Sequence, residues 1–167
     1  MANGLRLAYD EFGDSNAPAI VLIMGLGAQM IAWPEVFCQS LADAGFRVIR
    51  YDNRDIGLSQ KINPRKAVNI PLLLLRSKLG LSIKPPYTLK DMARDAIGVI
   101  DFLGIDKAHW VGASMGGMIA QIVTSEYPQR SLSLTSVMSS SGNPQLPQAS
   151  WKITKQLVSR PDASNEK

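Results

Sequence analysis

Short apolar runs alternate along the chain with stretches whose apolar residues recur at helical spacing. The continuous apolar run 19–24 is typical of a strand buried on both faces of a sheet, whereas 89–103 carries an apolar stripe of helical period. This alternation predicts an α/β fold, a mostly parallel sheet with helices on both faces. The predicted strands are 5–12, 19–24, 46–51, 108–111 and 132–138, and the predicted helices are 34–44, 88–103, 114–127 and 151–158.

Residues at the ends of the predicted helices agree with these boundaries. Thr88 can cap its helix, and Asp91 three residues later completes a capping-box pattern. Gly45 and Gly104 each follow a helical pattern, as glycine commonly does at a helix C-terminus, and Pro128 cannot continue the helix before it.

Residues 60–87 are the least regular part of the chain. They contain four prolines and the apolar run 72–75, which lies beside Arg76 and Lys78. We expect an irregular insertion packed on the domain surface, because long unstructured loops are uncommon in compact domains. The alternative is a flap over the mouth of a site, where it would meet apolar substrates or an interface.

The sequence Gly112-Ala113-Ser114-Met115-Gly116 lies between a predicted strand and a predicted helix. This is the Gly-x-Ser-x-Gly pattern of a nucleophile elbow in its expected context. The serine must sit on a strained turn to expose its hydroxyl, and the flanking glycines avoid Cβ contacts with nearby backbone. The helix that begins behind Ser114 would add partial positive charge where an oxyanion forms.

Composition narrows the class of protein further. The 167 residues are enough for one domain, and 46% hydrophobic with 19% charged residues is typical of a globular protein. The net charge of +4 comes without a basic stripe that carries interleaved aromatics, so we expect no nucleic-acid partner. The single cysteine, Cys38, is expected to be a small apolar residue on a helix in a reducing compartment.

The sequence also leads to expectations about the location of the protein and about its cofactors. We see no signal peptide, and the apolar run 19–24 is far too short to span a membrane. The expected location is therefore the cytoplasm. We expect neither a metal ion nor a cofactor.

Four stretches of the sequence, 10–14, 24–27, 50–59 and 111–117, carry a family resemblance. Together they resemble the α/β-hydrolase superfamily, and most closely the esterase branch that includes the aclacinomycin methylesterases. The elbow is shared by the whole superfamily, whereas the first and third stretches are more specific and favour this branch. The resemblance implies an α/β-hydrolase core whose N-terminal part is 1–143, followed by the start of a cap at 144–167.

The resemblance implies a role for individual residues. Ser114 would be the nucleophile, and the backbone N–H groups of Met115 and Leu26 would hold the oxyanion. The superfamily often has His-Gly where this chain has Met24-Gly25. Because the oxyanion donors are main-chain groups, this difference leaves the oxyanion hole in place.

Residues 52–59 match a family pattern, Asp-x-Arg-x-x-Gly-x-Ser. The resemblance implies that this loop holds other loops together beneath the site. We expect Asp52 and Arg54 to have structural roles, because arginine–carboxylate pairs commonly fix loops.

The chain departs from the superfamily in its catalytic base. The superfamily orders its triad as serine, acid, histidine, but no histidine follows Ser114 and the only histidine is His109. His109 precedes Ser114 by five residues on one strand, roughly 16 Å at ~3.3 Å per residue. It therefore cannot come within hydrogen-bond reach of the serine, and we expect it to have a local partner at the start of the strand.

The catalytic acid is absent as well. Some relatives place it just after the strand that follows the elbow helix, but residues 139–143 contain no carboxylate. We infer that this chain is the N-terminal part of a longer hydrolase. It would require a complementary C-terminal segment, in the same or a separate chain, to supply the remaining strands, the acid and the histidine. Without it, the strand at 132–138 would leave an open sheet edge.

The sequence thus predicts a serine carboxylesterase acting on small-molecule esters once it is complemented. Serine-dependent perhydrolases, C–C bond hydrolases and proline iminopeptidases share the elbow and stay open. The alternative from another class is a non-catalytic binding or scaffold module of the same fold. The missing histidine favours that alternative, and the intact elbow around Ser114 opposes it.

Overall fold

The computed structural model describes residues 1–62, 85–143, 145–146 and 150. Five strands, three α-helices and two single-turn 3-10 helices alternate along these residues. In chain order they are β1 (Tyr9–Phe12), β2 (Ala19–Ile23), a 3-10 turn (Met30–Ala32), α1 (Glu35–Asp43), β3 (Arg47–Tyr51), α2 (Leu89–Phe102), β4 (Ala108–Ala113), α3 (Met115–Glu126), a second 3-10 turn (Pro128–Arg130) and β5 (Ser131–Val137).

The five strands form one sheet in the order β1-β3-β2-β4-β5. β1 runs antiparallel to β3, and all other neighbours are parallel. The parallel strands β2, β3 and β4 therefore end at the same edge of the sheet. The loops that follow them, which carry Gly25, Asp52 and Ser114, meet at that edge.

The core has one layer on each face of the sheet, because successive strand residues point to opposite sides. On one face, α2 and α3 pack on β2, β3 and β4 around the fully buried Trp110. On the other face, α1 packs its buried Cys38 against Ile20, Leu22 and Val48. The predicted α/β architecture is confirmed, and so is the apolar role of Cys38.

One boundary differs from the sequence prediction. The first strand begins at Tyr9 rather than at residue 5, because Ala2 and Leu5 pair with each other in a tight turn. On α1, the helix places Cys38 against the sheet, and Val36 faces outward with 77% of its surface exposed.

β5 lies at the edge of the sheet, and within the described residues it pairs only with β4. Its side chains are largely exposed, including those of Leu132, Leu134 and Val137. This is the open edge that the sequence predicted. Most of the predicted 60–87 insertion, the predicted helix 151–158 and most of the predicted cap start at 144–167 lie outside the described residues.

Candidate active site at the elbow

Ser114 occupies the turn between β4 and α3 with φ 54° and ψ −121°. A positive φ is strained for a residue with a side chain, so the surrounding structure must hold it in place. The turn is fixed by a hydrogen bond from Ser114 N to the Val137 carbonyl (2.9 Å) and by one from Gly117 N to the Ser114 carbonyl (2.9 Å). The side chain makes no capping hydrogen bond to α3 and is exposed. Its hydroxyl is therefore accessible at the carboxyl edge of the sheet.

The two glycines of the elbow lie where a side chain would collide with backbone. A Cβ on Gly112 would lie 2.2 Å from the Gly116 carbonyl oxygen. A Cβ on Gly116 would lie 2.1 Å from the carbonyl oxygen of Ile23 and 2.9 Å from that of Met24. The first turn of α3 can thus approach both β4 and the end of β2, which brings Ser114 next to the loop after β2.

That loop forms a tight turn beside Ser114. Gly25 approaches so closely that a Cβ there would lie 3.1 Å from Ser114 Cβ and 3.5 Å from Ser114 Oγ. Ala28 N donates to the Gly25 carbonyl across the turn (3.4 Å), and Gly27 takes φ 73°. A positive φ at the third position is the requirement of a type II turn, which glycine meets without strain. Leu26 therefore lies at the second position of the turn, near the serine.

Two backbone N–H groups in segments next to Ser114 have no hydrogen-bond acceptor among the described residues. Met115 is the first residue of α3, so its N–H has no acceptor within the helix. Leu26 N–H is not used by the turn, and it makes no hydrogen bond with the part of the chain that the structure describes. Both groups, which the sequence suggested as oxyanion donors, thus lie in segments that adjoin Ser114.

An apolar cleft of about 630 Å³ opens at Ser114. Trp33 and Phe37 form a stacked pair on its wall, with ring centroids 5.7 Å apart and planes 20° apart. Among the described residues that line the cleft, only Ser114 and Trp33 carry a polar side-chain atom, and the Trp33 ring nitrogen is buried. The cleft is lined by Met24, Gly25, Leu26, Ala28, Ala32, Trp33, Pro34, Phe37, Ala113, Ser114, Val137 and Met138.

The loop after β3 binds the neighbouring loops through two adjacent buried side chains. Asp52 accepts hydrogen bonds from Met30 N (2.7 Å) and Leu58 N (2.9 Å). Asn53 donates from Nδ2 to the Met24 carbonyl (2.9 Å). Because Met24 and Met30 flank the turn that contains Leu26, this loop holds the turn from both sides. The structural role expected for Asp52 is therefore observed.

Arg54 forms a buried ion pair with Asp95 of α2. Arg54 Nη2 lies 2.6 Å from Asp95 Oδ1, and the two side chains are 7% and 2% exposed. Asn3 Nδ2 also donates to Asp95 (2.9 Å), and the Arg54 guanidinium lies over the Tyr87 ring. Burial lowers the pKa of Arg54, but the hydrogen bond and charge of Asp95, together with the charge of Asp91, raise it overall, so the guanidinium stays charged. The role expected for Arg54 is observed, and its partner is now identified.

Arg50 supports the aromatic wall of the cleft from beneath. Its guanidinium, which is buried, pairs with Asp10 (2.6 Å) and donates to the Trp33 carbonyl. It also lies over the Phe12 ring, 5.1 Å from the centroid. Arginine is suited to this position because its planar group can bond and stack at the same time. Burial raises the pKa of the nearby Cys38 thiol, so that thiol stays protonated at neutral pH.

His109 lies at the opposite end of β4 from Ser114. Its Nδ1 is 2.8 Å from Ser133 Oγ, and its ring packs edge-on against Phe46. This confirms the local partner that the sequence predicted. Since the sequence contains one histidine, the described residues provide no imidazole base to the serine.

Sequence reasoning missed two functional contacts. Asn53 lies between two motif residues that were recognised, and its position two residues after a buried strand was a usable signal. Asp95 falls within the apolar stripe of its helix, between the buried Met92 and Ala96. A carboxylate on the buried face of a helix requires a partner, so it indicated a buried ion pair before the partner was known.

Two further searches covered only the described residues. No described helix is long and apolar enough to cross a membrane. No group of three or more histidine, cysteine, aspartate or glutamate side chains comes together there as a metal site.

Comparisons with known proteins find relatives that are similar to this chain in sequence and in fold. The chain is 33% identical over 131 residues to rhodomycin D methylesterase DauP of Streptomyces sp. (strain C5), covering 78% of this chain and 38% of the relative. It is 31% identical to 3-oxoadipate enol-lactonase 1 of Acinetobacter baylyi, covering 70% of this chain and 35% of the relative. The structure of an enol-lactonase from Burkholderia xenovorans LB400 superposes with a TM-score of 0.59 at 30% identity, covering 77% of this chain and 42% of the other.

The chain therefore spans about two fifths of the length of these relatives. The sequence model of the α/β hydrolase fold matches residues 18–160, which is most of the chain. The sheet order, the strained serine at the end of β4 and this match lead to one conclusion: the chain belongs to the α/β hydrolase fold family.

Proposed function

We propose that this chain carries the nucleophile and the oxyanion donors of a serine hydrolase that cleaves carboxylic esters. The observation that carries the proposal is the exposed hydroxyl of Ser114 on a left-handed turn, beside the uncommitted N–H groups of Met115 and Leu26. A strained backbone at a cleft is typical of a functional site. The names of the relatives, a methylesterase and an enol-lactonase, support an ester as the substrate.

The reaction would proceed in two steps. Ser114 Oγ attacks the ester carbonyl carbon while a histidine takes the hydroxyl proton, and the carbonyl oxygen becomes an oxyanion between Met115 N–H and Leu26 N–H. The C–O bond to the alcohol then breaks, and the histidine returns the proton to the leaving alcohol. Water, activated by the same base, hydrolyses the acyl-enzyme and regenerates the serine.

The cleft favours esters whose groups next to the carbonyl are apolar and uncharged. The described side chains that line it carry no charge, and an unpaired carboxylate transferred there from water would lose hydration without gaining a partner among them. A cleft of about 630 Å³ lies within the range of small-molecule sites. We therefore propose a small or medium-sized ester with an apolar acyl group.

The base and the acid would come from a complementary C-terminal segment, in the same or a separate polypeptide. His109 is occupied at the far end of β4, and residues 139–143 carry no carboxylate. The half-exposed apolar side chains of β5, and its outer edge, which pairs with no strand among the described residues, offer a surface on which further strands would pack. We call this chain together with such a segment the complemented enzyme.

The test compares the isolated chain with the complemented enzyme on p-nitrophenyl esters. The complement can be supplied by co-expressing the part of DauP that follows its matched region. We expect the isolated chain to be nearly inactive, the complemented enzyme to be active, and Ser114→Ala to abolish that activity. Ser125→Ala, a serine on the outer side of α3, is the matched control and should retain it. Hydrolysis that survives Ser114→Ala would refute the mechanism.

A non-catalytic binding module of the same fold is the competing function, favoured by the absence of an imidazole near Ser114 among the described residues. A fluorophosphonate probe separates the two, because it forms a covalent bond only with an activated serine. Labelling of the complemented enzyme at Ser114 supports the esterase. Failure to label in an enzyme that is folded, as judged by its melting transition, supports the binding module.

A further inference from the structure

We propose that Asn53 is a positioning residue that orients the oxyanion turn at residues 25–28, and with it the N–H of Leu26. This inference rests on the proposed function, because it concerns the same site. Asn53 does not line the cleft and would not touch the substrate. It would act only through the backbone of Met24.

The contact itself is direct and buried. Asn53 is 2% exposed, and its Nδ2 donates to the Met24 carbonyl at 2.9 Å. A side-chain donor this deeply buried is normally committed to one acceptor, since leaving it unpaired is costly. The same carbonyl faces the first turn of α3, where a Cβ on Gly116 would come within 2.9 Å of it. Met24 O is thus held between Asn53 and the helix that carries Met115.

The turn is held at its other end by the neighbouring side chain. Asp52 accepts from Met30 N at 2.7 Å, two residues after Ala28. Two adjacent side chains of one loop therefore hold the turn at 25–28. Asn53 binds Met24, before the turn, and Asp52 binds Met30, after it. Asp52 is itself held by Leu58 N, so it does not depend on Asn53.

This arrangement matters because two of the four turn residues are glycines. Gly25 and Gly27 have no side chains to lock the backbone, so their peptide planes can rotate at low energetic cost. If the Met24 carbonyl is released, the following peptide planes are free to turn, and the Leu26 N–H no longer has a defined direction. An oxyanion donor is effective only when it already points at the developing charge.

The first experiment measures the contact in the isolated chain without relying on activity. Of the seven methionines, only Met24 and Met115 precede a glycine, so labelling with carbonyl-¹³C methionine and ¹⁵N glycine yields two peaks in an HNCO spectrum. Met115→Leu removes one peak and assigns both. In Asn53→Leu, which keeps the shape but has no donor, we expect the Met24 carbonyl resonance to shift and the Met115 resonance to stay. An unmoved Met24 peak overturns the proposal.

The second experiment measures turnover in the complemented enzyme. Removing one oxyanion donor typically lowers kcat by about 10²–10³. Because Asn53→Leu misdirects a donor without deleting it, we expect a decrease of about 10- to 100-fold in kcat, with KM unchanged. Arg130→Met is the control, because it removes hydrogen bonds to Asp101, Ile105 and Asp106 at the opposite end of the sheet from Ser114, without contacting the turn. It should melt at a lower temperature and keep the wild-type kcat.

The outcomes separate this inference from the function on which it rests. If Ser114→Ala is inactive but Asn53→Leu retains the wild-type kcat, the positioning role is wrong and the esterase stands. If Ser114→Ala is fully active, the esterase itself is wrong, and the carbonyl resonance still reports whether the contact exists. Should Asn53→Leu fail to fold, Asn53→Ala, which also lacks the donor and adds no bulk, serves in both experiments and must give the same decrease in kcat.

Discussion

Replacing Gly116 with alanine distinguishes two opposing effects at the start of α3. Helix propensity alone predicts a gain of up to about 1 kcal/mol, because alanine is preferred over glycine in a helix. The added Cβ, however, would lie 2.1 Å from the Ile23 carbonyl oxygen. An ordinary contact between carbon and oxygen is about 3.3 Å, so α3 and β2 must separate by about 1 Å.

The steric effect is expected to dominate. Overpacking against parts that cannot rotate away costs about 3 kcal/mol at the upper end of the usual range. Subtracting the propensity gain leaves a net loss of about 2 kcal/mol, and for a domain of this size that lowers Tm by about 4–8 °C. The same displacement would separate Met115 from Leu26, and a shift of about 1 Å at a reacting centre can decrease the rate about 100-fold.

The assay is a thermal melt of Gly116→Ala beside Gly117→Ala. Both glycines lie in the first turn of α3 and gain the same propensity, but a Cβ on Gly117 would meet the side chains of Ser136 and Ser139 rather than backbone. Those residues are in the edge strand β5 and the loop after it, which can adjust, so Gly117→Ala should be less destabilised. A Tm for Gly116→Ala at or above that of the wild type would refute the steric reasoning.

Two further predictions concern the supports of the site. Asp95→Ala leaves Arg54 charged, buried and without its ion-pair partner, so we expect the free energy of unfolding measured in urea to decrease by about 3–5 kcal/mol. Adding Arg54→Met should recover most of that decrease. An equal decrease in the double variant would contradict this reasoning. At α2, hydrogen bonds from the side chain and backbone of Thr88 hold the pKa of Asp91 below its model-compound value of 3.8. A carboxylate whose pKa is lowered on folding stabilises the protein above its pKa in the unfolded state, and this stabilisation is lost as pH falls through its pKa in the folded state. At pH 6, Thr88→Ala should therefore have a lower Tm than the wild type and a free energy of unfolding smaller by about 1 kcal/mol. The difference between the two proteins should decrease below about pH 4. A gap independent of pH would show that the carboxylate does not take part.

The elbow and the helix caps could be read from the sequence because each is a local device. Ser114 and its two glycines lie within five consecutive residues, so their spacing is visible in the sequence, although the backbone that excludes a side chain at Gly116 belongs to the end of β2. Thr88 and Asp91 satisfy each other across a single helical turn, and both bonds of the predicted capping box are present. The order of strands and helices was equally accessible, since buried parallel strands and amphipathic helices have different apolar periods.

The contacts that hold the site together could not be read in this way. Asn53 meets Met24 across 29 residues of sequence, and Arg54 meets Asp95 across 41. At such separations the sequence shows that a buried polar group needs a partner, but many candidates are equally compatible with that need. The choice is made by the sheet, which brings the ends of β2 and β3 side by side.

The division therefore follows the range of the interactions. Steric contacts and hydrogen bonds within a short segment depend on residues that are neighbours in the sequence. The sequence alone therefore determined the fold class, the strained serine and the absence of any histidine after it. Packing between distant segments depends on strand order and register, so only the tertiary structure decided that Gly25 lies against Ser114, that Trp33 and Phe37 line the wall of the cleft, and that Asn53 donates to the Met24 carbonyl.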